Sequence, residues 1–389
     1  MAMAIALVVL VVASVLFHFL SPWWATPLAS NWKQMDDTLT ITLVITGIFF
    51  IVINLFIGYI VWRYRHREGH RAAYQPENRK MDLWLTGLTA VGIMALLAPG
   101  LIVYADYVRP PREAMVLEVV GQQWQWAFRF PGKSGELGTS DPRFVNAGNP
   151  LGLNPDDPNG QDDVIVVGPE VHLPLNRPIK VLLRSKDVLH DFYVPPFRAR
   201  MNMVPGMVTS FWFTPTQAGK YDILCAQLCG VGHYNMRGHV VVEDQAAFDA
   251  WLAKQPTFAL TMAKSAPPVA APGTAATPSA AGTDLVEQGR ALAQSKGCVG
   301  CHSIDGSPGV GPTWKGLFGS TQAFVDGSSA PVDDAFLKKE IEDPQARVVK
   351  GFGPLMPKMP VTDAEVAALS AYIRALGTGA AGTPQAGKQ

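Results

Sequence analysis

Residues 222–236, DILCAQLCGVGHYNM, place two cysteines, a histidine and a methionine in one short stretch. An earlier run, VLHDFYVPPF at 188–197, adds His190 at the start of a strand-like segment. Thiolates, imidazoles and thioethers are the soft ligands that copper uses in electron transfer, and a site with a single copper needs only one thiolate. The presence of both Cys225 and Cys229 therefore predicts two coppers bridged by sulfur.

The remaining ligands of such a site are also present in these two runs. His190 and His233 would each hold one copper, Met236 would be a weak axial ligand, and the backbone carbonyl of Gln227 would complete the set. Two other uses of the cysteine pair stay open at this point. In an oxidising compartment they could form a disulfide, and with histidine they could bind zinc.

The copper motif lies within a β-rich region that we assign to residues 114–262. Its strand-like runs are VLEVVGQQWQWAFRF, DVIVVG, IKVLLRS, TSFWFTP and GHVVVE, separated by Pro, Gly, Asn and Asp. Short runs divided in this way predict an all-β sandwich or barrel. The stretch 131–163 is rich in the same turn residues and is interpreted as a long solvated loop, although its acids could also ligate calcium.

After the β-rich region the composition changes twice. Residues 263–283, AKSAPPVAAPGTAATPSAAGT, lack large apolar side chains and predict an extended flexible linker. Residues 284–376 contain two helix-like runs, LVEQGRALAQSK and DAEVAALSAYIRAL, and predict a small α-helical domain. The tail 377–389 returns to Gly, Ala and Pro, and we expect it to be disordered.

The helical domain carries a C-x-x-C-H motif at Cys298, Cys301 and His302. In this motif the thiols bond covalently to haem c and the histidine becomes an axial ligand of iron. The sixth ligand is expected in GPLMPKMP at 353–360, which contains two methionines. We favour Met356 because the axial methionine of c-type cytochromes is typically followed by proline ahead of the last helix, although Met359 is also followed by proline.

Two apolar segments near the N-terminus predict a membrane hairpin within residues 31–113. Segments 39–62 and 83–107 are each long enough to cross a hydrocarbon core of about 30 Å at about 1.5 Å per residue. The loop between them is rich in Arg and Lys, so we expect it on the cytoplasmic side and everything after 107 on the outside. Residues 1–30 are either a signal sequence or an additional membrane helix.

The composition excludes several other classes of protein. The 389 residues carry 32 basic and 32 acidic side chains, so no basic surface for nucleic acid is indicated. Only four cysteines are present, in two close pairs, which is not the pattern of a disulfide-stapled secreted fold. Metal and cofactor chemistry is therefore favoured.

The runs at 188–197 and 204–236 resemble the binuclear CuA domain of cytochrome c oxidase subunit II, and GQQWQW at 121–126 is similar to that family's aromatic motif. The fused cytochrome resembles the arrangement in bacterial oxidases that carry their own electron donor. The resemblance implies a membrane helical hairpin, a cupredoxin-like β-sandwich or barrel, and a small all-α class I cytochrome c domain.

The resemblance also implies roles for individual residues. The copper ligands would be the six named above. Trp124, with Trp126 two residues on, falls where the family accepts electrons, and both could equally be packing residues. Asp82, in NRKMDLWLT at 78–86, falls where the family often has a glutamate at the mouth of a proton path, and it could also be an ordinary interfacial acid. Gln227 replaces a glutamate that helps to hold magnesium in many members, which puts a magnesium site in doubt.

The function implied is that of an electron-input subunit in the cell membrane, with both cofactor domains on the periplasmic side. Electrons would pass from haem c to CuA and then to the haems of catalytic subunit I, where oxygen is reduced to water and protons are translocated. Other membrane subunits would be partners, and an external cytochrome c or a quinol-oxidising complex would be the donor. Two alternatives stay open: the same relay in a nitric oxide reductase, and a membrane-anchored carrier without a catalytic subunit.

Overall fold

A computed structural model describes residues 2–21, 26–71, 77–146, 149–265, 278–359 and 361–377. The chain divides into two compact units. The first comprises Met1–Pro110 with Pro196–Arg198, and the second comprises Pro111–Pro195 with Ala199–Gln389.

The first unit is built from long apolar helices. Among the described residues, three helices are long and apolar enough to cross a membrane: α1 (Ala2–Leu20), α2 (Lys33–Arg63) and α3 (Arg79–Tyr107). The N-terminus of α3 is capped by Asn78, whose side chain accepts a hydrogen bond from the backbone N–H of Met81 at 3.1 Å. Residues 2–20 are therefore helical in this structure, while their fate as a signal sequence or a membrane helix stays a prediction.

Residues 196–198 join the first unit through polar contacts with the first turn of α2 and with the segment before it. The guanidinium of Arg198 pairs with Asp36, with Nε and Oδ1 separated by 2.6 Å. The hydroxyl of Ser30 donates to the carbonyl of Phe197 at 2.7 Å. Trp32 packs edge to face against Tyr107, with ring centroids 5.2 Å apart. These contacts order the chain on both sides of the helical hairpin.

The second unit contains a β-sandwich formed from alternating strands. In the part of the chain that the structure describes, its strands are β1 (Met115–Gln122), β2 (Gln125–Phe130), β3 (Val164–Val167), β4 (Glu170–Pro174), β5 (Ile179–Ser185), β6 (His190–Val194), β7 (Ala199–Met203), β8 (Thr209–Phe213), β9 (Gly219–Cys225) and β10 (Arg237–Glu243). One sheet has the order β3-β2-β1-β5-β8 and the other β4-β10-β9-β6-β7. Two of the pairings, β1 with β5 and β4 with β10, are parallel, and the other pairings are antiparallel.

An aromatic core joins the two sheets. Trp126 of β2 packs edge to face against Phe192 of β6, with ring centroids 5.8 Å apart, and Phe192 also contacts Phe211 of β8. All three side chains are almost fully buried. Burial of large aromatic rings between facing sheets supplies much of the apolar stabilisation of a sandwich. The prediction of a β-sandwich of the cupredoxin type is confirmed.

The same unit continues into helices α4 (Gln245–Leu252), α5 (Phe258–Ser265) and α6 (Pro278–Ser295), the hairpin β11 (Thr321–Ala323) and β12 (Ser329–Pro331), and helices α7 (Asp334–Glu342) and α8 (Asp363–Gly377). Helices α6 and α8 cross closely at Gly289, where a side-chain Cβ would lie 2.0 Å from the carbonyl oxygen of Ala368. Beside this crossing Trp314, Leu369 and Tyr372 belong to one buried apolar cluster. This arrangement agrees with the predicted cytochrome c fold.

The predicted linker 263–283 needs a correction at its two ends. Residues 263–265 belong to α5 and residues 278–283 belong to α6, whereas the central part, 266–277, lies outside the described residues. Alanine is the best helix former, and Pro278 occupies the first helical position, where its missing N–H costs nothing. Of the tail 377–389, which was predicted to be disordered, Gly377 is the last residue of α8, and 378–389 lie outside the described residues.

Candidate copper and haem sites

The two sheet strands β6 and β9 bring the first half of the copper motif together. His190 begins β6 and Cys225 ends β9, and the two strands are neighbours in one sheet. The backbone N–H of Cys225 donates to the carbonyl of Met236 at 3.2 Å, which folds residues 226–236 into a loop that returns to the strand end. His233 lies on that loop, in a short 3₁₀ turn.

The sulfur and nitrogen atoms of four predicted ligands converge in the interior. The Sγ atoms of Cys225 and Cys229 are 3.7 Å apart and both cysteines are free and buried. Cys225 Sγ lies 4.0 Å from His190 Nδ1, and Cys229 Sγ lies 3.6 Å from His233 Nδ1. Each sulfur therefore has one imidazole beside it.

The two weaker ligands lie beside different cysteines of the pair. Met236 Sδ lies 3.8 Å from Cys229 Sγ, and the carbonyl oxygen of Gln227 lies 3.2 Å from Cys225 Sγ. All six predicted ligands thus meet in one cluster. A backbone carbonyl from Gln227 is available whatever its side chain is, so the replacement of glutamate by glutamine does not change this part of the cluster.

The cysteine pair is electrostatically asymmetric. The hydrogen bond between the two sulfurs lowers the pKa of Cys225 well below its usual range, against the opposing effect of burial, and raises the pKa of Cys229. The pair therefore favours one thiolate beside one thiol. A site that already stabilises one thiolate is suited to a cation that stabilises both.

Asp187 was not predicted from the sequence, yet it contacts a ligand. Its Oδ1 lies 2.8 Å from Nε2 of His190, while its Oδ2 accepts a hydrogen bond from the backbone N–H of Gln123 at 2.7 Å. A carboxylate on the far nitrogen fixes the orientation of a ligating imidazole. An acid three residues before a histidine was the available signal, and the link to Gln123 could not be read from sequence.

Trp124 lies directly against the cysteine loop. Its indole nitrogen donates to the carbonyl of Cys229 at 3.1 Å, and the side-chain amide of Gln123 donates to the same oxygen at 2.8 Å. The indole ring packs on Gly232, where a Cβ would come within 2.4 Å of it. Trp126, the other predicted electron-accepting residue, is buried in the aromatic core instead, and its role stays a prediction.

The haem motif lies at the mouth of an apolar cavity of about 450 Å³. Cys298, Cys301 and His302 line this cavity. Nδ1 of His302 is 2.7 Å from the carbonyl oxygen of Pro312, and since a carbonyl can only accept, Nδ1 carries the proton. The other ring nitrogen is left to ligate a metal. Trp314 stacks on the imidazole with ring centroids 5.2 Å apart.

Both candidate methionines line the same cavity. Met356 and Met359 are each partly buried, so the structure leaves the choice between them as a prediction. Burial raises the pKa of Cys298 and of Cys301 to about 11.

Asp82 lies apart from these clusters, in the first turn of α3, and it is exposed. An acid in the first turn is favourable to the helix dipole and needs no other role. The suggestion that it opens a proton path therefore stays a prediction.

Comparison with known proteins identifies both parts of the second unit. Residues 115–244 match the family model described as cytochrome c oxidase subunit II, periplasmic domain. Residues 286–377 match the model described as cytochrome c. The two matches cover the β-sandwich and the helical domain that follows it.

Individual relatives agree with these matches. The chain is 56% identical over 259 residues to alternative cytochrome c oxidase subunit 2 of Bradyrhizobium diazoefficiens, covering 67% of this chain and 94% of that relative. It is 23% identical over 349 residues to cytochrome c oxidase subunit 2 of Alkalihalophilus pseudofirmus, covering 87% and 86%. Among solved structures, the periplasmic domain of subunit II of cytochrome oxidase (CoxB) of Bradyrhizobium japonicum matches with 24% identity and a TM-score of 0.28, covering 37% of this chain and 95% of that one.

Subunit II is a membrane protein that associates with the catalytic subunit of an oxidoreductase complex, and the apolar helices of the first unit agree with that setting. The chain therefore belongs to the cytochrome c oxidase subunit II family, as a member with a C-terminal cytochrome c domain, and has an electron-input role in a haem–copper oxidase.

Proposed function

We propose that this chain relays electrons from a covalent haem c to a binuclear CuA centre, and on to the haems of the catalytic subunit. There oxygen is reduced to water, coupled to proton translocation. The observation that carries the proposal is the position of Trp124, which bonds the Cys229 carbonyl and also lines the cavity of the haem motif. One side chain therefore contacts both predicted cofactor sites.

The geometry of the sulfur cluster fits copper. Two ligands that are each about 2.3 Å from one tetrahedral metal lie about 3.7 Å apart. The Sγ atoms of Cys225 and Cys229 are separated by 3.7 Å, whereas a disulfide requires about 2.0 Å. Two thiolates and two imidazoles alone would also suit zinc, but the thioether of Met236 and the carbonyl of Gln227 beside the sulfurs add the weak ligands that favour copper. Copper bound there would accept and release single electrons.

The cavity of the helical domain fits haem. His302 presents its unprotonated nitrogen because Nδ1 donates to Pro312, and the two thiols beside it are positioned for covalent attachment. Burial lowers the pKa of His302, which keeps the imidazole neutral and able to ligate iron. Haem held there would supply one-electron chemistry at a potential raised by a methionine ligand, for which we propose Met356.

The other residues have supporting roles in this proposal. Asp187 orients the imidazole of His190. Electrons reach the copper loop through Trp124. Trp126, in the aromatic core, would assist this electron transfer. Asp82 is proposed for the mouth of a proton path at the start of α3. The magnesium ion that a glutamate would hold at the subunit interface is expected to bind weakly beside Gln227, since a neutral amide is a poorer ligand than a carboxylate.

The proposed setting is the cell membrane. The basic loop between α2 and α3 would lie in the cytoplasm, and both cofactor domains would lie on the periplasmic side. The catalytic haem–copper subunit and other membrane subunits are the proposed partners, with an external cytochrome c or a quinol-oxidising complex as the donor.

The proposal is tested on the complex purified in detergent. We expect a visible spectrum with covalent haem c, an EPR signal split by two equivalent coppers, and oxygen consumption supported by an electron donor. A complex without the two-copper signal would contradict the relay. A complex that consumes nitric oxide but not oxygen would support the nitric oxide alternative.

A further inference from the structure

The surface around Trp124 is covered by the C-terminal domain of the same chain. We name it the amide face, because it is formed by Gln122, Gln123, Trp124, Gln125 and Asn235. The segment against it is the haem-attachment turn, residues 297–301. Trp124 has only 9% of its surface exposed, because its ring packs on Gly232 of the cysteine loop and its backbone lies against Gly300 of the turn.

Two glycines of the haem-attachment turn allow this contact. A Cβ at Gly300 would lie 3.1 Å from the carbonyl oxygen of Trp124 and 3.2 Å from its backbone nitrogen, which is tighter than ordinary van der Waals contact. A Cβ at Gly297 would lie 2.4 Å from the carbonyl oxygen of Gln123. Gly297 also has a φ of +75°, which a side chain would strain. The backbones of the two domains therefore touch where neither glycine has a side chain.

Neutral hydrogen bonds accompany the backbone contact. Asn235 Nδ2 donates to the carbonyl of Gly300 at 2.9 Å, and the side-chain amide of Gln125 donates to the carbonyl of Gln294 at the end of α6. Both acceptors are backbone carbonyls at the haem-attachment turn or just before it. These two hydrogen bonds involve no charged side chain.

The charged groups near the amide face have partners in their own domains. Lys186 donates to Gln122 at 2.7 Å, and Lys296 pairs with Glu365 at 3.1 Å. Asp187 is held by His190 and by the backbone of Gln123. The close approach of the two backbones and the amide hydrogen bonds carry the contact between the domains.

We propose that the amide face is a specificity surface for the chain's own haem-attachment turn. The face fits a turn that has no side chains at Gly297 and Gly300. Its side-chain amides donate to two backbone carbonyls at or just before that turn. A soluble cytochrome with a larger residue at the position of Gly300 cannot seat against Trp124 without displacing backbone. This inference rests on the proposed relay, because it concerns which cytochrome delivers electrons at Trp124.

The test compares three variants in the assembled complex: Gly300→Leu, which places a side chain against Trp124, Asn235→Ala, which removes one hydrogen bond, and the control Gln245→Ala. Gln245 is an exposed amide on the same β-domain, and it bonds Asp249 within its own helix. Hydrogen–deuterium exchange of the segment 122–126 reports docking directly. The rate of haem-to-copper transfer after flash reduction is the second measurement.

We expect Gly300→Leu to raise exchange in 122–126 about tenfold, equivalent to about 1.4 kcal/mol of lost docking free energy, and to slow transfer. Asn235→Ala should do both to a smaller extent, with haem and copper contents unchanged, and Gln245→Ala should do neither. The specificity surface is overturned if transfer is intact in the wild type and both face variants keep wild-type exchange. If the wild-type complex shows no transfer from haem c to copper, the relay itself fails instead.

Discussion

The indole nitrogen of Trp124 donates to the carbonyl oxygen of Cys229 at 3.1 Å, so an aromatic side chain from the turn between β1 and β2 is bonded to a predicted copper-bridging residue in the loop after β9. The ring is held in that position by Gly232 on one side, while the backbone of Trp124 contacts Gly300 of the haem-attachment turn. This relationship makes the tryptophan both a structural part of the copper loop and the proposed route for electrons.

Replacement of Trp124 by phenylalanine should separate these two roles. The ring is retained but the N–H donor is lost, which should cost about 1 kcal/mol of stability in the copper loop. We expect the two-copper EPR signal to remain and the haem-to-copper transfer rate to fall. The control is Trp251→Phe, since Trp251 stacks on His172 instead of bonding the cysteine loop. If both variants transferred electrons from haem c to copper at equal rates, Trp124 would not be on the electron-transfer route.

Replacement of Cys229 by serine should abolish the binuclear copper site. A hydroxyl is a hard, weakly acidic donor that cannot bridge coppers as a thiolate does. The measurement is the EPR spectrum of the oxidised complex. Gln227→Glu is the matched control on the same loop, because its carbonyl ligand is retained, and it should keep the signal and bind manganese more tightly. A serine variant with an unchanged two-copper signal would contradict the assignment.

The choice between the two methionines is tested by paired alanine variants. Met356→Ala should lower the haem c potential and open the sixth position of iron, whereas Met359→Ala should do neither, because one thioether is axial. Carbon monoxide binding to the reduced haem c measures the open position. Binding in the Met359 variant alone would reverse the assignment.

A buried ion network should stabilise the β-domain. Arg129 Nε lies 2.7 Å from Glu118, and its Nη1 lies 2.9 Å from Asp163; the arginine side chain is only 3% exposed. Arg129→Met would leave both carboxyl groups without this partner and should destabilise the domain by about 3–5 kcal/mol. Loss of the copper absorption band on heating measures the effect. Arg143→Met is the control, since Arg143 pairs with Asp141 at the surface, and we expect no measurable change there.

The sequence predicted local motifs better than contacts between distant segments. Cys225, Cys229, His233 and Met236 could be grouped because one loop carries them all, and the β-pattern located the strands beside it. The role of Asp187 was not predicted, because its contact with Gln123 joins residues that are 64 positions apart in the sequence. The sequence did not predict that the two ends of the linker are helical. An Ala-rich segment can be helical or extended, and here its ends continue the neighbouring helices α5 and α6.

Because the cytochrome domain is part of the same chain, we expect haem-to-copper transfer kinetics that a separate donor protein cannot show. Because twelve residues, 266–277, join α5 to α6 covalently, the cytochrome domain is presented to the β-domain at an effective concentration on the order of millimolar. That local concentration does not change on dilution, so haem-to-copper transfer should be first order and independent of protein concentration. Because the backbone contacts and the hydrogen bonds from Asn235 and Gln125 are uncharged, the rate should also change little with salt.

Flash-induced oxidation of haem c, measured over a range of enzyme and salt concentrations, checks this expectation. Deletion of residues 284–389 should leave the copper signal intact and make turnover depend on added cytochrome c, with a rate that rises with its concentration. In the intact protein, a rate proportional to enzyme concentration would mean that each cytochrome domain serves a neighbouring complex. The intramolecular relay would then be wrong, even though both cofactors were present.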